Sequence, residues 1–357
     1  MSRIQRLRIS HFRNIKHADV NTDAPFVCFS GENAQGKTNI LESIYLATNI
    51  RPFRTGGIND WVTHGQDNAS VTMSVSDEIG DYKTGYDIKK GARTFFIDGN
   101  KLGSVRDVIS RLRILSYNPS SYELILGDDS ERRKFFDRAV YFMDTRHIED
   151  VIYYNKALKS RNAAIKQRGN YKLWDTLIAT SGERIISKRI ESIGLMQEYF
   201  DQAFGLFFND KSRVTFSYKP SAGYTKDEIV RKLYSDVKID EQRGVTNSGP
   251  HRDRIEVYLN GKDAKRVVST GQAKLIAFLF KVAKVRFIKK VSGKKPVFLY
   301  DDVSAFLDEQ RLCQLVEIIK KEDIQIISTS VDNNLFRRLF SDSVKFITVR
   351  SGSVIDG

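Results

Sequence analysis

Cysteine is almost absent: Cys28 and Cys313 are the only two in 357 residues. With no paired spacing, neither a disulfide framework nor a zinc-binding pattern can be built, which fits a reducing compartment. Cys28 lies in the apolar run Phe26–Phe29 and reads as a small buried hydrophobe, whereas Cys313 falls in a helix. No apolar run approaches the roughly 18 residues of a membrane span. The basic Met1–Ser10 stretch has no apolar core of the signal-peptide kind. Internal repeats and low-complexity linkers are missing too. A soluble, cytoplasmic protein with no membrane partner is expected.

What is present is basic and mixed. Lys and Arg number 58 against 44 Asp and Glu, a formal net charge of +14. That excess favours a polyanion, nucleic acid first and an acidic membrane second, or it is an indifferent basic surface. Hydrophobic content of 41% and charged content of 29% suit a folded chain long enough for two lobes. Ile4, Leu7 and Ile9 begin one strand, and Phe26–Ser30 makes a second, apolar one. A helix follows near Thr38–Thr48, with Ile40, Leu41, Ile44 and Tyr45 on one face. Val71–Val75, Lys83–Ile88 and Arg93–Ile97 read as a meander. From about Ser130 long helices take over: Glu131–Met143, His147–Arg168 and Lys172–Phe208, the last expected to break near Ser181 and Gly182. After a stretch at Arg213–Tyr218, a helix at Gln272–Lys289 and strands at Val297–Tyr300 and Gln325–Ser328 return the chain to mixed α/β. The expected division is an α/β lobe of residues 1–119 and 292–357, and a helix-rich lobe or arm of residues 120–291.

Between the second strand and the first helix stands Gly31, Glu32, Asn33, Ala34, Gln35, Gly36, Lys37, Thr38, then Asn39. The two glycines have the spacing that lets backbone N–H groups wrap a phosphate. Lys37 is placed to meet β- and γ-phosphates, and the Thr38 hydroxyl to ligate Mg²⁺. The helix directs its positive end at the anion. A second acidic element follows the strand Val297–Tyr300: Asp301 would bind Mg²⁺ through water, and Asp302 would act as general base orienting the attacking water. Ser269, Gly271 and Gln272 precede a helix and form either a second anion site or an ordinary helix cap. Asp308 lies seven residues beyond Asp301.

Taken in order, these segments resemble the ABC-type ATPase head of SMC-like proteins, a P-loop NTPase fold, and more closely the RecF family. The resemblance spans essentially the whole chain. Leu7–Asn14 (LRISHFRN) is similar to the family's opening strand, Gly31–Thr38 to its Walker A motif and Asp301–Asp308 to its Walker B motif and D-loop. Ser269–Gln272 resembles its signature motif. Gly127 with Arg132–Asp137, Arg161–Asn162, Trp174–Asp175 and Gly249–Arg252 resemble segments particular to RecF. Ser120, Asp129, Arg254 and Tyr300 depart from the family pattern.

The resemblance implies ATP and Mg²⁺ as cofactors and an ATP-dependent homodimer in which Ser269 of one copy meets the γ-phosphate held by Lys37 of another. It implies slow, DNA-stimulated hydrolysis used as a switch, binding of gapped or junction DNA, and work with RecO and RecR in loading RecA during repair and replication. Val151–Trp174 contains no acid, and Lys156, Lys159 and Lys166 fall on one arc opposite Tyr154, Leu158 and Ile165. With Arg161 they are candidate contacts for DNA phosphates, or form a solvated face. His251 is a turn residue or a catalytic one. A nuclease-associated ATPase head is the alternative function, though no second carboxylate cluster supports it. A transporter subunit lacks the basic arm and the twin aspartates.

Overall fold

The computed structural model describes residues 2–49, 52, 56–103, 105–208, 212–302, 309–340 and 344–356. β1 (Arg3–Phe12) and β2 (Ile15–Asn21) form a hairpin about the Arg13–Asn14 turn. β3 (Phe26–Ser30) then enters a different sheet. β4 (Asn68–Ser76), β5 (Asp81–Lys89), β6 (Ala92–Ile97) and β7 (Asn100–Lys101) extend the first hairpin into a six-stranded antiparallel sheet, ordered β2-β1-β4-β5-β6-β7. In β4 every second residue, Ala69, Val71, Met73 and Val75, is buried, as in a sheet with one face on the core.

β8 (Ile114–Tyr117) belongs with β3, while β9 (Val214–Lys219), β10 (Arg254–Leu259) and β11 (Lys262–Asp263) make a three-stranded antiparallel sheet. β12 (Val297–Tyr300), β13 (Ile326–Ser330), β14 (Val344–Arg350) and β15 (Ser353–Asp356) complete the second six-stranded sheet, ordered β15-β14-β3-β13-β12-β8. Its pairings are parallel except for the β14–β15 hairpin. Every residue of β12 and β13 is buried, the signature of parallel strands covered on both faces. Sequence periodicity finds β12 and β13 but not β2, β8, β10, β14 or β15.

The chain divides into two compact units, Met1–Ser121 with Ile288–Gly357, and Tyr122–Phe287. In the first, a single buried amide joins the two large sheets. Gln325 Oε1 accepts from Ile4 N–H at 2.7 Å, and its Nε2 donates to carbonyls of Ile4, Thr22 and Ala24 at 3.0, 2.9 and 3.1 Å. A buried amide with its donors and acceptor satisfied in this way specifies register as well as stability.

The second unit is built on helices Asp129–Met143, His147–Lys166 and Asp175–Phe207 beside the three-stranded sheet. The expected break at Ser181 and Gly182 does not occur: Asp175–Phe207 is one helix of 33 residues. Ser181 Oγ donates back to the Leu177 carbonyl at 2.6 Å, keeping its hydroxyl inside the helix. Gly182 gives room for Ile229 and Pro250, each 3.3 Å from where its Cβ would lie. Phe136, Phe200, Phe216 and Phe280 interlock as the aromatic core, Phe216 and Phe280 with ring centres 3.9 Å apart. Gln197 blunts the β9 edge, accepting from Phe216 N–H and donating to Val214 O. Among the described residues no helix is long and apolar enough to cross a membrane.

Candidate nucleotide site

β3 delivers the chain into the turn Gly31–Gly36, and the helix Lys37–Leu46 follows at once. Gly36 has φ 109°, and a Cβ there would lie 2.8 Å from Asn14 Oδ1, so only glycine fits the turn. Ala34 is also left-handed, with φ 63°. No side chain caps the helix, which leaves its first N–H groups for an anion. Lys37 folds back over the loop, its Nζ donating to the carbonyls of Gly31 and, at 2.6 Å, Glu32. Glu32, Asn33 and Ala34 are exposed around the ammonium, and Gln35 is half-buried.

The parallel register places the C-terminal ends of β3, β13 and β12 side by side, where α/β sheets bind ligands. Asp301, 4% exposed, receives two hydroxyls on one carboxylate oxygen: Thr38 Oγ1 at 2.9 Å and Thr329 Oγ1 at 2.9 Å. Its own N–H donates to Tyr117 O. Asp302 turns into the left-handed region at φ 55°, and its N–H donates to Thr329 Oγ1 at 2.7 Å. Burial lowers the Lys37 ammonium below its ordinary range, and the carboxylates of Asp302 and Asp301 pull it back up. Burial pushes the Cys28 thiol up to about 12, so it is inert packing beneath the site.

Sequence reasoning missed Thr329. Its signal is the polar run Ser328–Ser330 ending a fully buried parallel strand, where each buried hydroxyl must find a partner: Ser328 takes the Val27 carbonyl, Ser330 takes Asp332, and Thr329 takes Asp301. The departing residue Tyr300 packs edge-to-face on Tyr117, with ring centres 5.3 Å apart. Asp308 lies outside the described residues.

The remaining predicted residues lie in the second unit. Ser269 and Gln272 form a reciprocal cap on the helix Thr270–Ser292: Ser269 N–H donates to Gln272 Oε1 at 2.9 Å, and Gln272 N–H to Ser269 Oγ at 3.3 Å. Ser269, Gly271 and Gln272 are all exposed. On the His147–Lys166 helix, Lys156, Lys159 and Lys166 are exposed, and Tyr154 and Ile165 are buried opposite them.

Arg161 is a correction. It is 0% exposed and cannot face DNA. Its guanidinium bridges Asp175 at 2.8 Å and Asp240 at 2.6 Å and donates to Thr246 Oγ1, while Asn162 accepts from Thr246. Here the charge is structural, because a buried guanidinium needs paired carboxylates.

The other distinctive segments converge on a neighbouring network. Arg189 clasps Asp137 through two bonds of 2.7 and 2.9 Å and donates to Pro250 O. Burial alone would raise the Asp137 carboxyl, but Arg189 and His147 overcome it and hold it well below the usual range. Asp253 accepts from Tyr218 and Ser221, and its carbonyl from Arg133. Between the networks, His251 Nε2 donates to Thr246 O at 3.1 Å, which assigns its Nδ1 as acceptor of the Tyr154 hydroxyl at 2.6 Å. That is a structural histidine. Of the departing residues, Asp129 pairs with Arg132 at 2.9 Å, Arg254 with Glu256 at 3.7 Å, and Ser120 is exposed in the turn Pro119–Tyr122.

A glycine-bounded turn ahead of a helix, beside a parallel strand ending in twin aspartates, has the arrangement of a P-loop NTPase, and the fold as a whole is that of an ABC-type ATPase head. The chain belongs to the family described as the RecF/RecN/SMC N terminal domain, whose model matches residues 3–354. Within it the likeness is to RecF. The "DNA replication and repair protein RecF" of Geotalea daltonii is 27% identical over 337 residues, covering 92% of this chain and 93% of the relative. That of Myxococcus xanthus is 26% identical over 371 residues, covering 99% and 97%. A solved structure of the recombination mediator protein RecF with ATP, in the RecFOR pathway, superposes with a TM-score of 0.89 at 25% identity, covering 100% of this chain and 98% of that one. The Smc head domain of Pyrococcus furiosus shares the fold, with a TM-score of 0.58 at 14% identity, covering 99% of this chain and 95% of that one.

Proposed function

We propose that this chain binds ATP with Mg²⁺ at Gly31–Asn39 and Asp301, hydrolyses it slowly, and uses it as a switch for assembling on DNA in repair and replication. The observation that carries this is the Thr38–Asp301 hydrogen bond beside the Lys37 ammonium. A hydroxyl and a carboxylate meeting at 2.9 Å are a hard-oxygen pair that suits Mg²⁺. Among the described residues no group of three or more His, Cys, Asp and Glu is gathered for a metal, so further ligands would come from nucleotide and water. When bound, the ion would neutralise phosphate charge. Lys37 exchanges its two carbonyl partners for phosphate oxygens, and Asp302 orients water.

Ser269 and the helix behind it act on the nucleotide of a second copy, so that ATP joins two chains. Lys156, Lys159 and Lys166 meet DNA phosphates without reading sequence. The names borne by the relatives, DNA replication and repair protein and recombination mediator, support this reading. The RecFOR pathway named for the ATP-bound relative supports RecO- and RecR-type partners.

Turnover and light-scattering mass, with and without ATP and gapped plasmid, for wild type and Lys37→Arg test the reading. Nucleotide-dependent mass and DNA binding, with turnover lost in the variant, are expected. An unchanged mass with ATP would sink the switch, and plasmid cleavage would favour the nuclease alternative.

A further inference from the structure

Two turns hold the Gly31–Gly36 loop and the helix that follows it. The first is Arg13–Asn14, between β1 and β2. Asn14 Oδ1 accepts from Asn39 Nδ2 at 2.7 Å, and Arg13 Nε pairs with the buried Glu42 carboxylate at 2.5 Å. Asn39 and Glu42 stand three apart on the helix Lys37–Leu46, so one turn holds one helix face at two points. The same Asn14 carboxamide is the wall against which Gly36 packs.

The second turn, Ser351–Gly352, joins β14 to β15. Ser351 N–H donates to Gln35 Oε1 at 2.5 Å, and Gly352 N–H to Gln35 O at 3.0 Å. Gly352 has φ 74°, and a Cβ on it would lie 2.2 Å from Asn14 O, so the two turns press on each other.

We propose that Asn14, Ser351 and Gly352 are positioning residues that fix the curvature of the phosphate loop, making nucleotide affinity depend on a hairpin outside the nucleotide-binding motif. This rests on the reading of Gly31–Thr38 as the ATP site. The loop carries left-handed conformations at Ala34 and Gly36; glycine adopts its own freely, but that of Ala34 persists only because surrounding structure dictates it. Freeing a residue of such a loop means that it must be ordered again when nucleotide binds. Gln35, between those two residues, is the point both hydrogen bonds of the second turn hold.

The test titrates a fluorescent ATP analogue against the full-length chain as wild type, Asn14→Ala, Gly352→Ala, the double variant and Lys37→Ala. Weaker analogue binding by about 5- to 30-fold is expected for each clamp variant, corresponding to ~1–2 kcal/mol for one residue re-ordered. KM for ATP should rise in step, with kcat at saturation within about twofold. The double variant should lose less than the sum of the singles, because the turns brace one another. Asn14 is exposed, so Asn14→Ala keeps the test available if Gly352→Ala does not fold. Unchanged affinity in Asn14→Ala, or a fall in kcat with affinity intact, overturns the proposal. A wild type that binds no analogue overturns the ATP reading instead.

Discussion

The Thr38 hydroxyl and the Asp301 carboxylate, 263 residues apart in sequence, meet at 2.9 Å. Parallel pairing of β3 with β13, and of β13 with β12, brings them together. Thr329, from the intervening strand, donates to the same carboxylate oxygen, so Asp301 is held by two hydroxyls from two different segments.

Replacing Asp301 separates its charge from its scaffold role. Asp301→Asn keeps an oxygen for both hydroxyls but loses the negative charge. The fold should hold and ATP turnover should fall by roughly 10²-fold or more, as when one preorganised electrostatic group is removed. Asp301→Ala strands the two hydroxyls as well and should cost about 1–3 kcal/mol in urea unfolding. Equal turnover in wild type and Asp301→Asn would remove Asp301 from the chemistry.

Arg161 and its lysine neighbours should part company. Arg161→Ala leaves Asp175 and Asp240 buried without their cation, a loss of about 3–5 kcal/mol that would show as insoluble or partly unfolded protein. The triple variant Lys156→Ala, Lys159→Ala, Lys166→Ala should fold normally. Its DNA affinity should drop, and the slope of log K against log salt should flatten by up to about 2.7. A triple variant with the wild-type slope would move the DNA surface elsewhere.

Ser269 is a helix cap and, by proposal, a phosphate ligand, and aspartate distinguishes the two. Asp caps as well as Ser, so Ser269→Asp should shift unfolding by less than about 1 kcal/mol. Its charge would repel a γ-phosphate, so the increase in mass on adding ATP should vanish. A variant that still dimerises with ATP would leave Ser269 as a cap alone.

Acid should weaken the second unit through His251. Burial holds its pKa down to about 4, against an ordinary 6.5, although the Thr246 carbonyl favours the charged form. Between those values the unfolded chain binds a proton that the folded chain refuses, so stability rises with pH across the window and falls on acidification. Urea midpoints between pH 7 and 4.5 should show this slope, and His251→Asn should make it shallower. Parallel slopes for the two proteins would assign the acid sensitivity to other groups.

Much of the site was legible because its chemistry is local. Gly31–Thr38 must occupy consecutive positions, and Val297–Asp302 announces itself as an apolar strand ending in charge. The ABC-type α/β head followed from their order together with the family resemblance. What sequence could not show was pairing at a distance. Arg161 reads as one more cation on a basic helix, since Asp175 and Asp240 lie 14 and 79 residues away. Ser181 and Gly182 read as a helix break because the neighbours that fill the glycine's space, Ile229 and Pro250, come from elsewhere in the chain. β14 and β15 were overlooked although their turn braces the loop that was easiest to find.

Gln325 bears on how the polypeptide matures during translation. β3 is made almost 300 residues before its sheet neighbour β13 and the amide that ties the two sheets, and longer still before β14. At elongation rates of about 5–20 residues per second that gap lasts roughly 15–60 s. Tyr122–Phe287, contiguous in sequence, is complete before then. On the ribosome the helical unit is therefore expected to become protease-resistant first, while the apolar Phe26–Ser30 segment waits unpaired as a natural client for chaperones. Stalled nascent chains ending just before β13 would display that order directly.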